Sequence, residues 1–234
     1  MPNTGIMTWE WIFLSVTLVP CLGVMAYLLW RIAFGTRPVR TVKLNGVSVV
    51  LWVSERKLPV SADAIVAPVA PDLKMAVSIA KWIRDATADA AQDVADAAAP
   101  LSPGEVLRAP GARYRFGSTL LAVVMDEAKR VEAEWITAAI ANALRRAAAE
   151  GMDSVIVPDI TEDLLRQPNW ITPEQRIASC RPIARALFHG IMEGAHGLDT
   201  VHVWVWQPVY ADVYHKELDA LVAGARAKGS PQPA

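Results

Sequence analysis

The sequence predicts an α/β domain of three layers, a sheet covered by helices on both faces, preceded by one transmembrane helix. Three observations carry this. After residue 40, short β-branched or apolar runs alternate with longer Ala-rich or amphipathic stretches, the pattern of strand and helix in turn. Before it lies an uncharged run of 20 residues. The length, 234 residues, suits one domain of about 150–200 residues plus an appendage.

The uncharged run is WIFLSVTLVPCLGVMAYLLW, residues 11–30, long enough for a helix to cross ~30 Å of hydrocarbon. Ten of its residues are Leu, Ile, Val or Phe, together favouring insertion by at most about 3–6 kcal/mol. Trp9 and Trp11 at one end and Trp30 at the other fit the two aromatic belts of a bilayer. A cleaved signal peptide would carry positive charge before a shorter run, yet MPNTGIMTWE has neither Lys nor Arg. Arg31, Arg37, Arg40 and Lys43 all follow the run, so the positive-inside rule puts the N-terminus outside and the rest in the cytoplasm. Those cations would lie against lipid headgroups of the cell membrane, in the first place to set topology. The expected division is an extracytoplasmic end at 1–10, a span at 11–34, a basic linker at 35–41, a domain at 42–223 and a flexible tail at 224–234.

The remaining elements follow in order. TVKLNGVSVVLWV, residues 41–53, is β-branched with an Asn45-Gly46 turn signal, hence one strand or a hairpin. DAIVAPV is a short apolar strand before a Pro-punctuated loop. Residues 75–99 read as one Ala-rich helix with a solvated Asp-bearing face, ending before Pro100. STLLAVVMD, 118–126, is a buried strand. Residues 127–151 read as one helix, with Trp135, Ile136, Ala139, Ile140, Ala143 and Leu144 on one face and Gly151 at its end. SVIVPDI is a strand, 173–192 a helix, TVHVWVW (200–206) a strand and 210–227 the last helix. Trp204 and Trp206 alternate with Val203 and Val205, so both Trp face one side of the sheet and read as core.

Chemistry-bearing groups are sparse. The net charge of −1 argues against a polyanion-binding chain, so nucleic acid is no expected partner. His189, His196, His202 and His215 lack metal-ligand spacing, and Cys21 and Cys180 make an implausible disulfide; neither metal nor cofactor is expected. Ser78 and Ser179 have no visible Ser-His-Asp context, and Asp159, Glu162 and Asp163 read as a solvated acidic loop. A covered parallel sheet binds ligands beyond its strand C-termini, which points to the loops after DAIV and after SVIV.

The order of these pieces resembles a macro domain, the ADP-ribose-binding module. Those domains read DAIVNAAN, then a stretch such as PDL, then GGG and V-A-x-A-I opening a helix; this chain reads DAIVAPVAPDLKMAVSIAKWI from Asp63. Asp63 to Val66, Pro71 to Leu73, and Ile79, Ala80 and Ile83 match. GEVLRAPGARYRF, NALRRAAAEGMDSVIVP and TVHVWVWQPVYADVYHKEL resemble later segments of the family, so the likeness spans roughly 42–221. It implies a three-layer α/β/α domain with a mixed sheet.

The departures fall on the site the resemblance implies. The two Asn of NAAN are Ala67 and Ala70 here, which can neither donate to nor accept from a ribose, at about 1–3 kcal/mol for each unpaired group. The glycines that close around a diphosphate are Ala76, Val77 and Ser78, and Val77 would strain the backbone and fill phosphate space. The second glycine loop is replaced after Pro158 by DITEDLLRQPNWITP, whose Asp159, Glu162 and Asp163 would repel a phosphate. The family's adenine-binding Asp falls near Glu55 or Arg56. Four losses in one site argue against ADP-ribose binding and hydrolysis, so a small-molecule ligand is not expected.

The expectation is a non-catalytic, membrane-anchored accessory or scaffolding subunit of a larger membrane complex. Its partners would be integral-membrane proteins, met through the helix and the domain. Gly23 in the span and Leu164, Leu165 and Trp170 in the replaced loop are the candidate contacts. A respiratory or photosynthetic assembly is the context to consider first, although no residue selects it. The alternative is a membrane-tethered ADP-ribose or nucleotide sensor or hydrolase.

Overall fold

The computed structural model describes residues 38–55, 58–76, 78–161 and 172–229. The predicted span at 11–34 lies outside them, and with it Trp9, Trp11, Gly23, Trp30, Arg31 and Arg37. Among the described residues no helix is long and apolar enough to cross a membrane.

The seven strands are β1 (Arg40–Leu44), β2 (Val47–Val53), β3 (Ala62–Val69), β4 (Val106–Ala112), β5 (Phe116–Val123), β6 (Ser154–Pro158) and β7 (Thr200–Val205). They form one sheet in the order β1-β2-β7-β6-β3-β5-β4. The five central strands run parallel, while the edge strands β1 and β4 are antiparallel to their neighbours. β3 and β5 show why: from Ala64 to Val69 and from Ser118 to Val123 every residue is buried, as a strand covered on both faces requires. β1 and β2 form the hairpin that Asn45-Gly46 signals, with φ of 51° and 89° at the two turn residues.

The helices are α1 (Ser78–Ala86), α2 (Ala90–Ala98), α3 (Ala133–Ala149), α4 (Pro173–Gly194) and α5 (Ala211–Gly229). α3, α4 and α5 bury Ile136, Ile140, Leu187, Phe188, Tyr214 and Leu218 against one face of the sheet. α1 and α2 bury Ile79, Ile83, Ala91 and Ala95 against the other. α3 and α4 approach closely because α4 carries glycine where they meet: a Cβ on Gly190 would stand 2.7 Å from the Thr137 carbonyl oxygen. α4 starts at a capping box, Thr172 accepting from the Gln175 amide and Gln175 from the Thr172 amide, with Pro173 at its first position.

Several expected boundaries move. The single helix over 75–99 is two helices, parted where Ala88 and Asp89 turn left-handed at φ 50° and 64°; the break lets α2 lay Ala91 and Ala95 against the sheet. The helix expected from 127 begins at Ala133, because Asp126 holds the chain before it in a turn, accepting from the Arg130 amide (2.8 Å) and guanidinium (2.7 Å). It ends at Ala149, with Gly151 left-handed just beyond. Trp135 on that helix is only half-buried. β4 was not foreseen: it is an edge strand carrying Pro110 and Gly111, where proline is tolerated. Residues 224–229 belong to α5 and not to a flexible tail. Arg40 and Thr41 belong to β1 and not to a linker, and Arg40 pairs with Asp219 on α5 at 2.9 Å.

Candidate functional site

The parallel strands β2, β7, β6, β3 and β5 all end at one edge of the sheet, where a ligand crevice is expected in such a fold. The chain leaving β3 there, residues 70–76, is tied down through its backbone amides. The Leu73 amide donates to the Ala70 carbonyl (2.9 Å), the Lys74 amide to the Asp72 carboxylate (3.1 Å) and the Met75 amide to the Gln92 side chain (2.8 Å). Lys74 is drawn aside to Asp96 on α2 at 2.7 Å, which with Gln92 holds the Asp96 carboxyl below its usual range. Three consecutive amides that could have faced an anion therefore already have acceptors.

The residues predicted for this pocket separate into two groups. Ala67 and Pro158 are buried within the sheet. Ala70 is half-buried, and Ala76 and Ser78 are exposed at the edge. Ser78 adopts φ 39°, a left-handed conformation where glycine is favoured. Val77 lies outside the described residues, as do Glu162, Asp163, Leu164, Leu165 and Trp170.

Asp159 corrects the sequence reading. It is not part of a solvated loop but 5% exposed, at the end of β6. Its carboxylate accepts from the Tyr214 hydroxyl on α5 (2.8 Å) and the Thr161 amide (2.8 Å). Thr161 Oγ1 meets the Tyr214 oxygen at 3.2 Å and Cys180 Sγ at 3.4 Å. Burial, with the Asp159 charge beside it, raises the Tyr214 hydroxyl well above its ordinary value. Burial likewise pushes the Cys180 thiol up to about 12, which leaves it without nucleophilic character at neutral pH. This network fastens α4, α5 and β6 together.

On the α1 side the edge is floored by aromatic rings. Trp204 is wholly buried, its centroid 5.6 Å from Trp82 and 5.1 Å from Trp206, and its Nε1 donates to the Ser54 carbonyl at 2.9 Å. Trp52 Nε1 donates to His202 Nδ1 at 3.1 Å, and burial lowers the His202 pKa.

Sequence reasoning missed Glu217. It is 7% exposed on α5, yet held by Arg181 (3.2 Å) and Arg185 (3.0 Å) from α4. Arg185 and Glu217 line a groove of about 390 Å³ between these helices, floored by Phe188, Met192, Leu221 and Ala225. Only the helical spacing of Arg181, Arg185 and Glu217 could have hinted at it, and spacing does not tell which helices are neighbours. Among the described residues no three His, Cys, Asp or Glu gather as metal ligands.

The fold recurs in solved structures. The Oceanobacillus iheyensis macrodomain with ADP superposes with a TM-score of 0.62 at 16% identity, over 79% of this chain and 97% of that one. The fold is that of a macrodomain. A Trypanosoma brucei macrodomain gives a TM-score of 0.59 at 15% identity, over 78% and 72% of the two chains. The macro domain of ganglioside induced differentiation associated protein 2 gives 0.56 at 17%, over 74% and 83%. A glycine-to-valine variant of the Oceanobacillus iheyensis macrodomain with ADPR also matches, at a TM-score of 0.60 and 15% identity, over 79% and 98%. No family model and no curated protein matches the chain by sequence. On this fold the carboxyl edge just described is the candidate site.

Proposed function

We propose that the chain is a non-catalytic, membrane-anchored accessory module: a macrodomain whose ligand edge is closed and whose working surfaces are contacts with membrane proteins. The observation that carries the reading is the state of the 70–76 loop, whose Leu73, Lys74 and Met75 amides are already taken by protein acceptors. The alanines at 70 and 76 add no polar group, and the acidic residue after β6, Asp159, is turned inward to Tyr214. Anchoring rests on the uncharged run at 11–30 and the cations that follow it. A respiratory or photosynthetic complex is the first place to look for the partner.

One expected result separates this from a ligand module. Titrated calorimetrically with ADP-ribose, the full chain in mild detergent gives no binding tighter than ~100 µM, about −5.5 kcal/mol. Tighter binding would return the protein to the sensor or hydrolase reading. That alternative has one specific support, the neighbours with ADP and ADPR. Against it stand the occupied amides of the 70–76 loop.

A second result tests the contact role. Trp170→Ala is expected to weaken retention of the chain in its native assembly by ~1–2 kcal/mol, as loss of an interface aromatic does. Joint substitution of Ala76 and Ser78 should leave retention unchanged. The check is co-purification of both variants from solubilised membranes. Loss of the Ala76/Ser78 variant with Trp170→Ala retained would make the pocket the working surface and end the scaffold reading.

A further inference from the structure

We propose that the solvent-facing side of α4 and α5 is a self-association surface. A second copy of this chain packs on it about a two-fold axis, the ridge from Arg185 to Glu193 of each copy lying in the α4–α5 groove of the other.

Arg185, His189 and Glu193 are exposed and stand four residues apart on α4, so they form one row along that helix. The row borders two grooves. One, of about 390 Å³, lies between α4 and α5; the other, of about 450 Å³, lies between α3 and α4 and is lined by Thr137, Ala138 and Ala186. A ridge beside a groove is what one helix surface needs to pack into another. α5 leaves room for it: Gly224 lines the first groove, and a Cβ there would meet nothing within 4 Å. Glycine inside a helix destabilises it relative to alanine. Gly190 and Gly194 on α4 have a reason within the fold, since a Cβ on either would strike α3 at Thr137, Ile140 or Ala141. Gly224 has no such neighbour.

The charges select the occupant. At one end of the ridge Arg181 and Arg185 share the single carboxylate of Glu217, which leaves one positive charge in excess, and their side chains stay 61% and 59% exposed. At the other end Glu193 is exposed, and its carboxylate makes no ion pair among the described residues. Arg185 and Glu193 are about 12 Å apart along the helix axis. A copy turned end for end places its Glu193 opposite Arg185 of the first, and its Arg185 opposite Glu193, with the two His189 near the axis. A two-fold contact requires this self-complementarity. Between the two ion pairs the floor of Phe188, Met192, Leu221 and Ala225 is apolar. A lipid headgroup would use one end of the row; a second copy uses both. α5, with 19 residues, is about 28 Å long, and two helices side by side are about 20 Å wide. Such a footprint on each copy buries roughly 1,100 Å² in all, at the low end for a specific interface, so the dimer is expected to be a micromolar one.

The test is sedimentation of the full chain in mild detergent from ~1 to ~100 µM, a range that brackets a micromolar dissociation constant. The expected result is a monomer–dimer equilibrium that Glu193→Arg weakens about tenfold or more, because like charges then face each other at both ends. Gly224→Leu fills the groove with a better helix former, so the fold is kept, as circular dichroism checks, while the dimer is lost. His189→Cys in a Cys21→Ser background should join two copies in air with copper phenanthroline; Tyr114→Cys, on the β4–β5 hairpin and 88% exposed at that position, should not. Cys180 is buried and does not compete. A chain that stays monomeric throughout the range overturns the proposal. So does a dimer that neither Glu193→Arg nor Gly224→Leu weakens, or cross-linking at 114 as fast as at 189. A monomer carrying a co-purified lipid that Gly224→Leu releases would give the groove to the lipid and overturn the second copy.

Discussion

Trp204→Ala should lower the stability of the domain by about 3–5 kcal/mol, a third or more of what a domain of this kind possesses. Trp204 is wholly buried in the smaller of the two core layers. Its ring packs edge-on to Trp82 and against Trp206, so truncation removes apolar burial and two aromatic contacts at once. The cavity cannot close easily, because the Trp204 backbone is locked in β7 between β2 and β6. The indole Nε1 is also lost as the donor to the Ser54 carbonyl, in a segment where Ser54 is itself buried. Chemical denaturation followed by far-UV circular dichroism measures the loss. Trp206→Ala is the internal comparison: Trp206 is half-buried at the rim of the same cluster, and its truncation should cost less. A loss below ~1 kcal/mol for Trp204→Ala would mean that the aromatic floor is not part of the cooperative core.

How far the sequence foretold this layer depends on which residues one follows. The alternation of Trp204 and Trp206 with Val203 and Val205 was enough to place both rings on one face. That is a period-2 signal, local to one strand. The Asn45-Gly46 hairpin was legible for a similar reason, since the turn chemistry sits in the two residues that make the turn. β4 was illegible because its stabilisation is not local. Val106–Ala112 alternates poorly, carries Pro110, and becomes a strand only by pairing with β5. The break between α1 and α2 was hidden by composition. An Ala-rich run is compatible with helix throughout, and nothing between residues 75 and 99 announces that Ala88 and Asp89 will turn left-handed.

The candidate site shows the same division. The missing polar side chains at Ala70 and Ala76 are plain in the sequence, because absence of a functional group is a property of one residue. The occupied amides of 70–76 are not. Gln92, which accepts from Met75, comes 17 positions later on a helix whose placement had to be known first. Asp159 is the sharpest case. In sequence it opens an acidic stretch and reads as solvated; in the fold its partner Tyr214 arrives from 55 positions away.

That partnership yields the last expected result: Tyr214→Phe should destabilise the domain by about 2–3 kcal/mol although it removes a single oxygen. Tyr214 is wholly buried, and phenylalanine fills its volume, so the packing against Phe188 is kept and the loss is polar. The hydroxyl donates to Asp159 at 2.8 Å and meets Thr161 Oγ1 at 3.2 Å. Without it a carboxylate that is 5% exposed loses a donor, and a hydrogen bond to a buried charge is worth more than one between neutral groups. Asp159→Asn in the Tyr214→Phe background is the control. The amide carries no charge to strand, so the double variant should regain about 1 kcal/mol or more over Tyr214→Phe alone. Denaturant midpoints at constant slope give both numbers. If Tyr214→Phe stays within ~0.5 kcal/mol of the parent, the hydroxyl is not what satisfies the carboxylate. The Thr161 amide, at 2.8 Å, would then be the stronger of the two contacts that hold Asp159.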